Sequence, residues 1–250
     1  MPNIGILLVL ILVSAVPAIA VFIWFRVARY RFSTVVFFVS LFVGATSVFV
    51  ALFLQDFVGR IISFPPLTDG AGLFMEILIR IALTEEVSRL LLLVPLFLVF
   101  RRFNVTGWAI DWARQPKYGE NGITPIPLTE TMGKTSGLVA GLGFGILESA
   151  IYGAADPFNA LLRAFTATPL HAACGSRVGS SIMTFRERPA LAIFQFLSAV
   201  AIHGIYNLMI VFPGRFPPFI AIFIAFSALL SSVQAISRGM RAEADEHHMR

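Results

Sequence analysis

Residues 34–54 read TVVFFVSLFVGATSVFVALFL, twenty-one positions without a charged side chain. At about 1.5 Å of rise per residue, a helix of that length covers roughly 30 Å, the thickness of a bilayer's hydrocarbon core. Six more apolar runs, bounded by charge, proline and glycine, lie to either side: 4–25, 72–100, 135–153, 166–185, 190–212 and 217–237. The chain is 57% hydrophobic and only 13% charged, about half the charged fraction of a soluble domain. Together these features predict an all-α, polytopic membrane helix bundle of about seven transmembrane helices. Residues 1–250 form a single integral-membrane domain, because all the helices share one slab of lipid. The run 72–100 is long enough to tilt or to begin with a turn lying in the interface.

The net charge of +5 does not indicate nucleic acid, because the basic residues sit at the ends of apolar runs, where topology accounts for them. With the N-terminus outside, the cytoplasmic segments hold Arg26, Arg29 and Arg31, then Arg101, Arg102, Arg114, Lys117 and Lys134, then Arg186 and Arg188, and finally Arg238, Arg241 and Arg250. That is 13 of the 19 basic residues. The outer segments hold Arg60, Arg163 and Arg215, and Arg80, Arg89 and Arg177 fall within spans. The expected orientation is therefore N-terminus outside and C-terminus cytoplasmic. The first run lacks a basic leader segment and reads as an uncleaved helix despite its signal-like Ala18-Ile-Ala20. Residues 101–134 form a cytoplasmic loop whose Trp108 and Trp112 suit a segment lying in the interface. Asn104-Val-Thr106 matches a glycosylation sequon but lies on the wrong side. Residues 238–250 form a charged cytoplasmic tail ending in His247 and His248. Cys174 is the only cysteine, so an intrachain disulfide is impossible.

Ionisable residues inside the spans cost about 2.5–3.5 kcal/mol each on insertion scales, so each needs a reason. The third span contains Thr84-Glu85-Glu86-Val87-Ser88-Arg89. Glu85 and Arg89 are four apart, on one face and able to pair, while Glu86 points about 100° away. Such a pair can hold one carboxylate ionised and leave its neighbour for proton transfer. Glu76 and Arg80 repeat the spacing nearer the outer interface and read as a structural ion pair. In the fourth span, Gly137, Gly141, Gly145, Ser149 and Gly153 make a stripe for close helix contact. Glu148 lies beside that stripe with Tyr152 one turn on, within hydrogen-bond reach. The fifth span contributes His171, followed by Cys174 and Gly175. The sixth contributes His203, with Asn207 on the same face placed to orient its imidazole. Counted along the helices, Glu148, His171 and His203 lie roughly 7–14 Å below the outer surface. Four helices thus bring polar groups to one layer in the outer half of the membrane.

These residues resemble the motifs of the PrsW family, in the superfamily that also contains the CAAX prenyl endopeptidases. The resemblance runs from about Glu76 to Asn207, within a protease-like core of about 71–212. Glu85-Glu86-Val-Ser-Arg89 is similar to the family's double glutamate followed, after two residues, by a base, with arginine where lysine is usual. Glu148-Ser-Ala-Ile-Tyr152 resembles the second motif, with Leu147 in place of phenylalanine. His171 with Gly175 resembles the third, and His203 to Asn207 the fourth, with asparagine in place of aspartate.

The resemblance implies an intramembrane endopeptidase of a prokaryotic cell membrane that cuts a membrane-anchored protein near the outer leaflet, an anti-sigma-factor-like substrate. It implies catalytic roles for Glu85, Glu86, Arg89, Glu148, His171, His203 and Asn207. Either glutamate of the pair activates water, and His203 and Asn207 donate to the oxyanion. A metalloprotease reading instead has zinc held by His171, His203 and Glu148, although no compact His-Glu-x-x-His motif accompanies it. A proton-coupled transporter would show an inverted repeat, and none is visible; a haem protein would leave the glutamates without a role. A catalytically inactive membrane scaffold would retain the same residues. The partners are a protein substrate and the lipid bilayer, and the sequence carries no code for oligomeric state.

Overall fold

The computed structural model describes residues 4–28, 32–67, 69–103, 129–153 and 157–248. Most of the expected cytoplasmic loop, with Trp108, Trp112 and the Asn104 sequon, lies outside the described residues. So do Arg29, Arg31, Arg114, Lys117 and Arg250, and the side chains of His247 and His248.

Each predicted span coincides with helix, and no strand occurs among the described residues. The first is broken into α1 (Ile4–Ser14) and α2 (Val16–Val27), bent by 43° at the break. Pro17, at the start of α2, has no backbone N–H to continue the ladder, and its ring displaces the preceding turn. Helix α3 (Thr34–Ile61) starts where the Ser33 hydroxyl accepts hydrogen bonds from the Val35 and Val36 amides, at 3.1 and 3.5 Å. It runs two turns past the predicted end, finishing with an exposed Arg60–Asp56 pair at 2.8 Å.

The long third run is continuous but not uniform. A short helix, α4 (Gly70–Met75), capped by Asp69, passes into a π-helical stretch (Glu76–Leu83) and then into α5 (Thr84–Phe103). The π-helical winding ends immediately before Glu85 and Glu86, and such insertions often mark functional segments. Arg80 pairs with Glu76 at 2.5 Å there, as expected.

Four further helices complete the chain: α6 (Glu130–Gly153), α7 (Pro157–Thr184), α8 (Pro189–Val211) and α9 (Pro217–His248). The last three begin with proline, which costs nothing at a position whose N–H has no helical partner. Helix α7 starts nine residues before the predicted 166. The stretch containing Asn159 and Arg163 reads as an outer loop by polarity, yet it is helical.

Helices α3, α6, α8 and α9 (over Pro217–Glu243) are long and apolar enough to cross a membrane, and the bent α1–α2 pair raises the number to five. Helices α5 and α7 are not among them. They carry Glu85, Glu86 and Arg89, and Arg163, His171 and Arg177, the polar residues that lower their hydropathy. Large apolar side chains point outward around the bundle, including Phe42, Phe53, Phe194 and Phe223. That is a lipid-facing surface, and the chain is an integral membrane protein.

Helix α6 is the centre of the bundle. Of its most apolar stretch 78% is buried inside the protein, against 39% for α3 and 28% for α8 and α9. Its glycines explain how it is surrounded. A side chain at Gly137 would meet the Gly175 carbonyl, one at Gly141 the His171 carbonyl, and one at Gly145 the Thr168 backbone at 2.7 Å. The expected stripe is therefore the α6–α7 contact, and Gly133 extends it to Gly179. On the opposite face Gly143 and Ala140 receive α3 at Leu41 and Gly44. Close backbone approach of this kind fixes α6, α7 and α3 against one another.

Candidate active site

Helices α5, α6, α7 and α8 each turn one or more polar side chains into a single buried cluster. Glu85, Glu86, Arg89, His171 and His203 are each at most 3% exposed, and Glu148 is 9% exposed. Among the described residues this is the one place where two histidines and a glutamate offer ligand atoms that all lie within 4.8 Å of one another: Glu85, His171 and His203.

Arg89 is the hub. Its Nη1 donates to Glu86 Oε2 at 2.5 Å and its Nη2 donates to His171 Nδ1 at 2.9 Å, while Glu85 Oε2 is 3.7 Å away. The Phe144 ring lies under the guanidinium, 4.5 Å from its carbon, and the same ring packs 4.8 Å from the His171 imidazole. This seats the cation in an apolar cradle with its donors aimed at the cluster. The sequence pattern pairs Arg89 with Glu85; the closer partner is Glu86. At i,i+3 the shorter reach brings Glu86 under Nη1, and Glu85 is left beside the arginine rather than bonded to it.

Protonation follows from the partners. A guanidinium only donates, so His171 Nδ1 accepts and its Nε2 carries the hydrogen, donated to Glu148 Oε2 at 2.7 Å. Glu86, paired with Arg89, accepts from His203 Nδ1 at 2.8 Å. In a neutral imidazole, that leaves the lone pair of His203 on Nε2, which faces Glu85 Oε2 at 3.5 Å. Glu85 Oε1 accepts from Gln55 Nε2 of α3 at 3.2 Å, whereas Glu85 Oε2 is buried with no hydrogen-bond partner. A buried carboxylate oxygen and an imidazole lone pair thus converge on one gap. A cation, a double donor or a single proton on either group can bridge such a gap.

A metal fits this donor set. Two ligand atoms about 2.1 Å from a tetrahedral ion lie about 3.4 Å apart, close to the 3.5 Å between Glu85 Oε2 and His203 Nε2. The third residue whose ligand atom lies within 4.8 Å of these two is His171, which would have to release Arg89 or Glu148 to offer a lone pair. The carboxylate within that distance of both imidazoles is Glu85, while Glu148 reaches His171.

Glu148 sits behind His171 and is anchored from the other side by Arg163 Nη2 at 2.7 Å. Arg163, counted by sequence among the outer loop charges, is therefore half-buried and part of the cluster. Its guanidinium lies over the Tyr152 ring at 4.2 Å. Tyr152 is exposed and stacks on that arginine rather than bonding to Glu148. Asn207 is half-buried and makes no hydrogen bond to His203, whose two ring nitrogens face the glutamates of α5. Tyr206, its neighbour, is buried and donates to Thr166 at 2.9 Å, tying α8 to α7 one turn before His171. Gln55 and Arg163 are the members that the pattern of the sequence did not single out. Each is one more polar residue in a polar stretch, and only the approach of α3 and the length of α7 bring them in.

A family model described as PrsW family intramembrane metalloprotease matches residues 33–233 of this chain. That is most of its length, and the chain belongs to that family. No curated protein matches the chain, and no solved structure does.

Proposed function

We propose that this member of the PrsW family hydrolyses a peptide bond of a membrane-anchored protein, with the reaction centred between Glu85 Oε2 and His203 Nε2. The observation that carries the reading is the buried Glu85 oxygen that makes no hydrogen bond and faces His203 Nε2 at 3.5 Å. A water in that gap donates one O–H to each acceptor, which turns its own lone pairs toward a substrate carbonyl. As its oxygen bonds to the carbonyl carbon, Glu85 takes the proton, and the same proton passes to the amide nitrogen when the C–N bond breaks. Arg89, held against Glu86 and His171, is a fixed positive charge close to the developing oxyanion. Gln55 fixes the direction of Glu85, and Glu86 fixes that of His203. Glu148 and Arg163 hold His171 in one tautomer.

The family's metal would take the place of that water between Glu85 and His203, with His171 as a further ligand; zinc best suits two imidazoles and a carboxylate, and it would supply Lewis acidity there.

The same reading takes α1 to α9 as seven spans, N-terminus outside, with α5 and α7 crossing because their charged groups are hydrogen-bonded inside the bundle. Helix α6 ends five residues beyond Glu148, about 7 Å of rise, so water has a short path from the outer face. The scissile bond then lies in or just outside the outer leaflet, in a segment able to unwind. A single-span protein of the anti-sigma-factor kind fits that requirement. Comparison of membrane proteomes from cells carrying wild type and a Glu85→Ala/Glu86→Ala variant tests it. A membrane-anchored protein should accumulate uncut in the variant; identical proteomes would count against the proposal.

A further inference from the structure

At the opposite end of the bundle from the glutamate cluster, a cavity of about 160 Å³ opens between α6, α7, α8 and α9. Its walls carry two cations, Lys134 and Arg177, with Ser176, Ser180, Ser231 and Ser232 around them. Arg177 is half-buried in the middle of α7. Its Nη1 donates to the Ala173 carbonyl at 2.9 Å and to Ser232 Oγ at 3.0 Å, and its Nη2 donates to Ser231 Oγ at 3.0 Å. All three partners are neutral, and no carboxylate lies within ion-pair distance of Arg177 among the described residues. Among the described residues the charges of the glutamate cluster all have a countercharge, so Arg177 stands apart. An uncompensated guanidinium is expensive at membrane depth.

The surrounding balance is also positive. Glu130 is the carboxylate of this region. It is consumed by Lys134 at 2.8 Å and Arg188 at 2.9 Å, with Ser180 donating at 2.9 Å. With Glu130 shared between Lys134 and Arg188, Arg177 keeps its charge without a carboxylate partner among the described residues. A second feature is independent of charge. Ser176 is 3% exposed, lines the cavity and makes no hydrogen bond to the protein. Arg177 has five N–H donors and uses three. The two spare N–H groups of Arg177, the remaining N–H groups of Lys134 and the Ser176 hydroxyl thus offer donors into the cavity, among small hydroxyl side chains.

We infer that this cavity binds one phosphate-bearing anion, of the kind a lipid headgroup carries, with Arg177 as its principal ligand and Lys134 and Ser176 beside it. Phosphate matches the set, because a guanidinium gives it paired N–H donors and hydroxyls fill its remaining oxygens. The cavity lies between helices at their arginine-rich ends, where acidic lipid headgroups collect. A bound phosphate neutralises Arg177 and links α7 to α9, away from the reaction centre.

Wild type and Arg177→Gln, each in nanodiscs of phosphatidylcholine with and without phosphatidylglycerol, provide the test by native mass spectrometry and thermal unfolding. A third set uses phosphatidylcholine alone with inorganic phosphate. Wild type should retain one phosphatidylglycerol through delipidation and unfold at a higher temperature when it is present. Arg177→Gln should bind it about tenfold more weakly or worse and show no shift. Ser176→Val keeps every charge, removes the hydroxyl and narrows the cavity, and should weaken lipid binding as well, so the inference stays testable if Arg177→Gln folds poorly. Stabilisation by inorganic phosphate but not by the lipid would support the site and assign it to a soluble anion. Equal retention of lipid by wild type and both variants, or no response of wild type to either anion, would overturn it.

Discussion

Arg89 Nη2 lies 2.9 Å from His171 Nδ1, and this contact sets the tautomer of the imidazole, because the guanidinium has no lone pair to offer. From there Nε2–H of His171 donates to Glu148, which also accepts from Arg163; separately, His203 Nδ1–H donates to Glu86, and its Nε2 faces Glu85. One cation thus organises two glutamates and a histidine from three helices.

Removing that cation should cost the fold as well as the chemistry. Arg89→Met leaves Glu86 as a buried carboxylate without its countercharge, and breaking a buried pair from one side typically costs about 3–5 kcal/mol. Thermal unfolding in detergent should show a large drop for Arg89→Met. The drop should be smaller for Arg89→Lys, which keeps the charge beside Glu86 but loses the forked geometry. An unchanged midpoint in Arg89→Met would mean that the ion pair is not formed.

The α6–α7 seam should be intolerant of bulk at positions that carry no charge themselves. A side chain at Gly141 runs into the His171 carbonyl, so Gly141→Leu must separate the two helices and carry His171 away from Arg89. Loss of activity together with lowered stability is expected. Gly70→Ala, with nothing within 4 Å of the added carbon, is the control and should stay within about 0.5 kcal/mol of wild type.

Much of this arrangement was legible in the sequence because membrane helices announce themselves by length and by misplaced charge. The seven apolar runs coincide with helix, and Glu85, Glu86, Arg89, Glu148, His171 and His203 meet in one cluster, because a charge placed in a span needs a partner in another span. The rest depended on reach rather than pattern. Helical spacing allows Arg89 either glutamate, and only the side-chain geometry selects Glu86. Arg163 looked like a loop charge because the polar start of α7 hides a helix whose arginine is neutralised from α6. Tyr152 and Asn207 sit at motif spacings, yet one stacks on Arg163 and the other leaves His203 to the glutamates. Gln55 emerges only when α3 packs beside α5. The broken first span follows from Pro17, a local cause visible in the sequence but read through as apolar.

The convergence of Glu85 and His203 predicts divalent metal binding that does not depend on activity. Titration of purified, chelator-treated protein with Co²⁺ should produce a visible absorption band saturating at one ion per chain. His203→Ala and Glu85→Gln should abolish the band. Glu148→Gln should weaken it without abolishing it, since Glu148 touches the ion's expected ligand His171 and not the gap itself. A band that survives His203→Ala would place the ion elsewhere.

Orientation can be read with single cysteines, because the native Cys174 is buried. Leu67→Cys, exposed between α3 and α4, should react with a membrane-impermeant maleimide added to intact cells. Glu187→Cys, exposed between α7 and α8, should react only after the membrane is opened. The opposite pattern would invert the bundle and move the proposed cut to the cytoplasmic leaflet.

The two neighbouring glutamates have been given different tasks, and they can be separated. Glu86 is held by Arg89 at 2.5 Å and by His203 at 2.8 Å, whereas Glu85 Oε2 makes no hydrogen bond and lies 3.5 Å from His203 and 3.7 Å from Arg89. Single-turnover cleavage of a membrane-anchored substrate in proteoliposomes, with unfolding temperatures measured on the same preparations, is the direct measurement. Glu85→Gln should unfold close to the wild-type temperature and leave the substrate uncut, while Glu86→Gln should lose both stability and activity. Cleavage by Glu85→Gln at the wild-type rate would contradict the assignment of the reaction to the gap between Glu85 and His203.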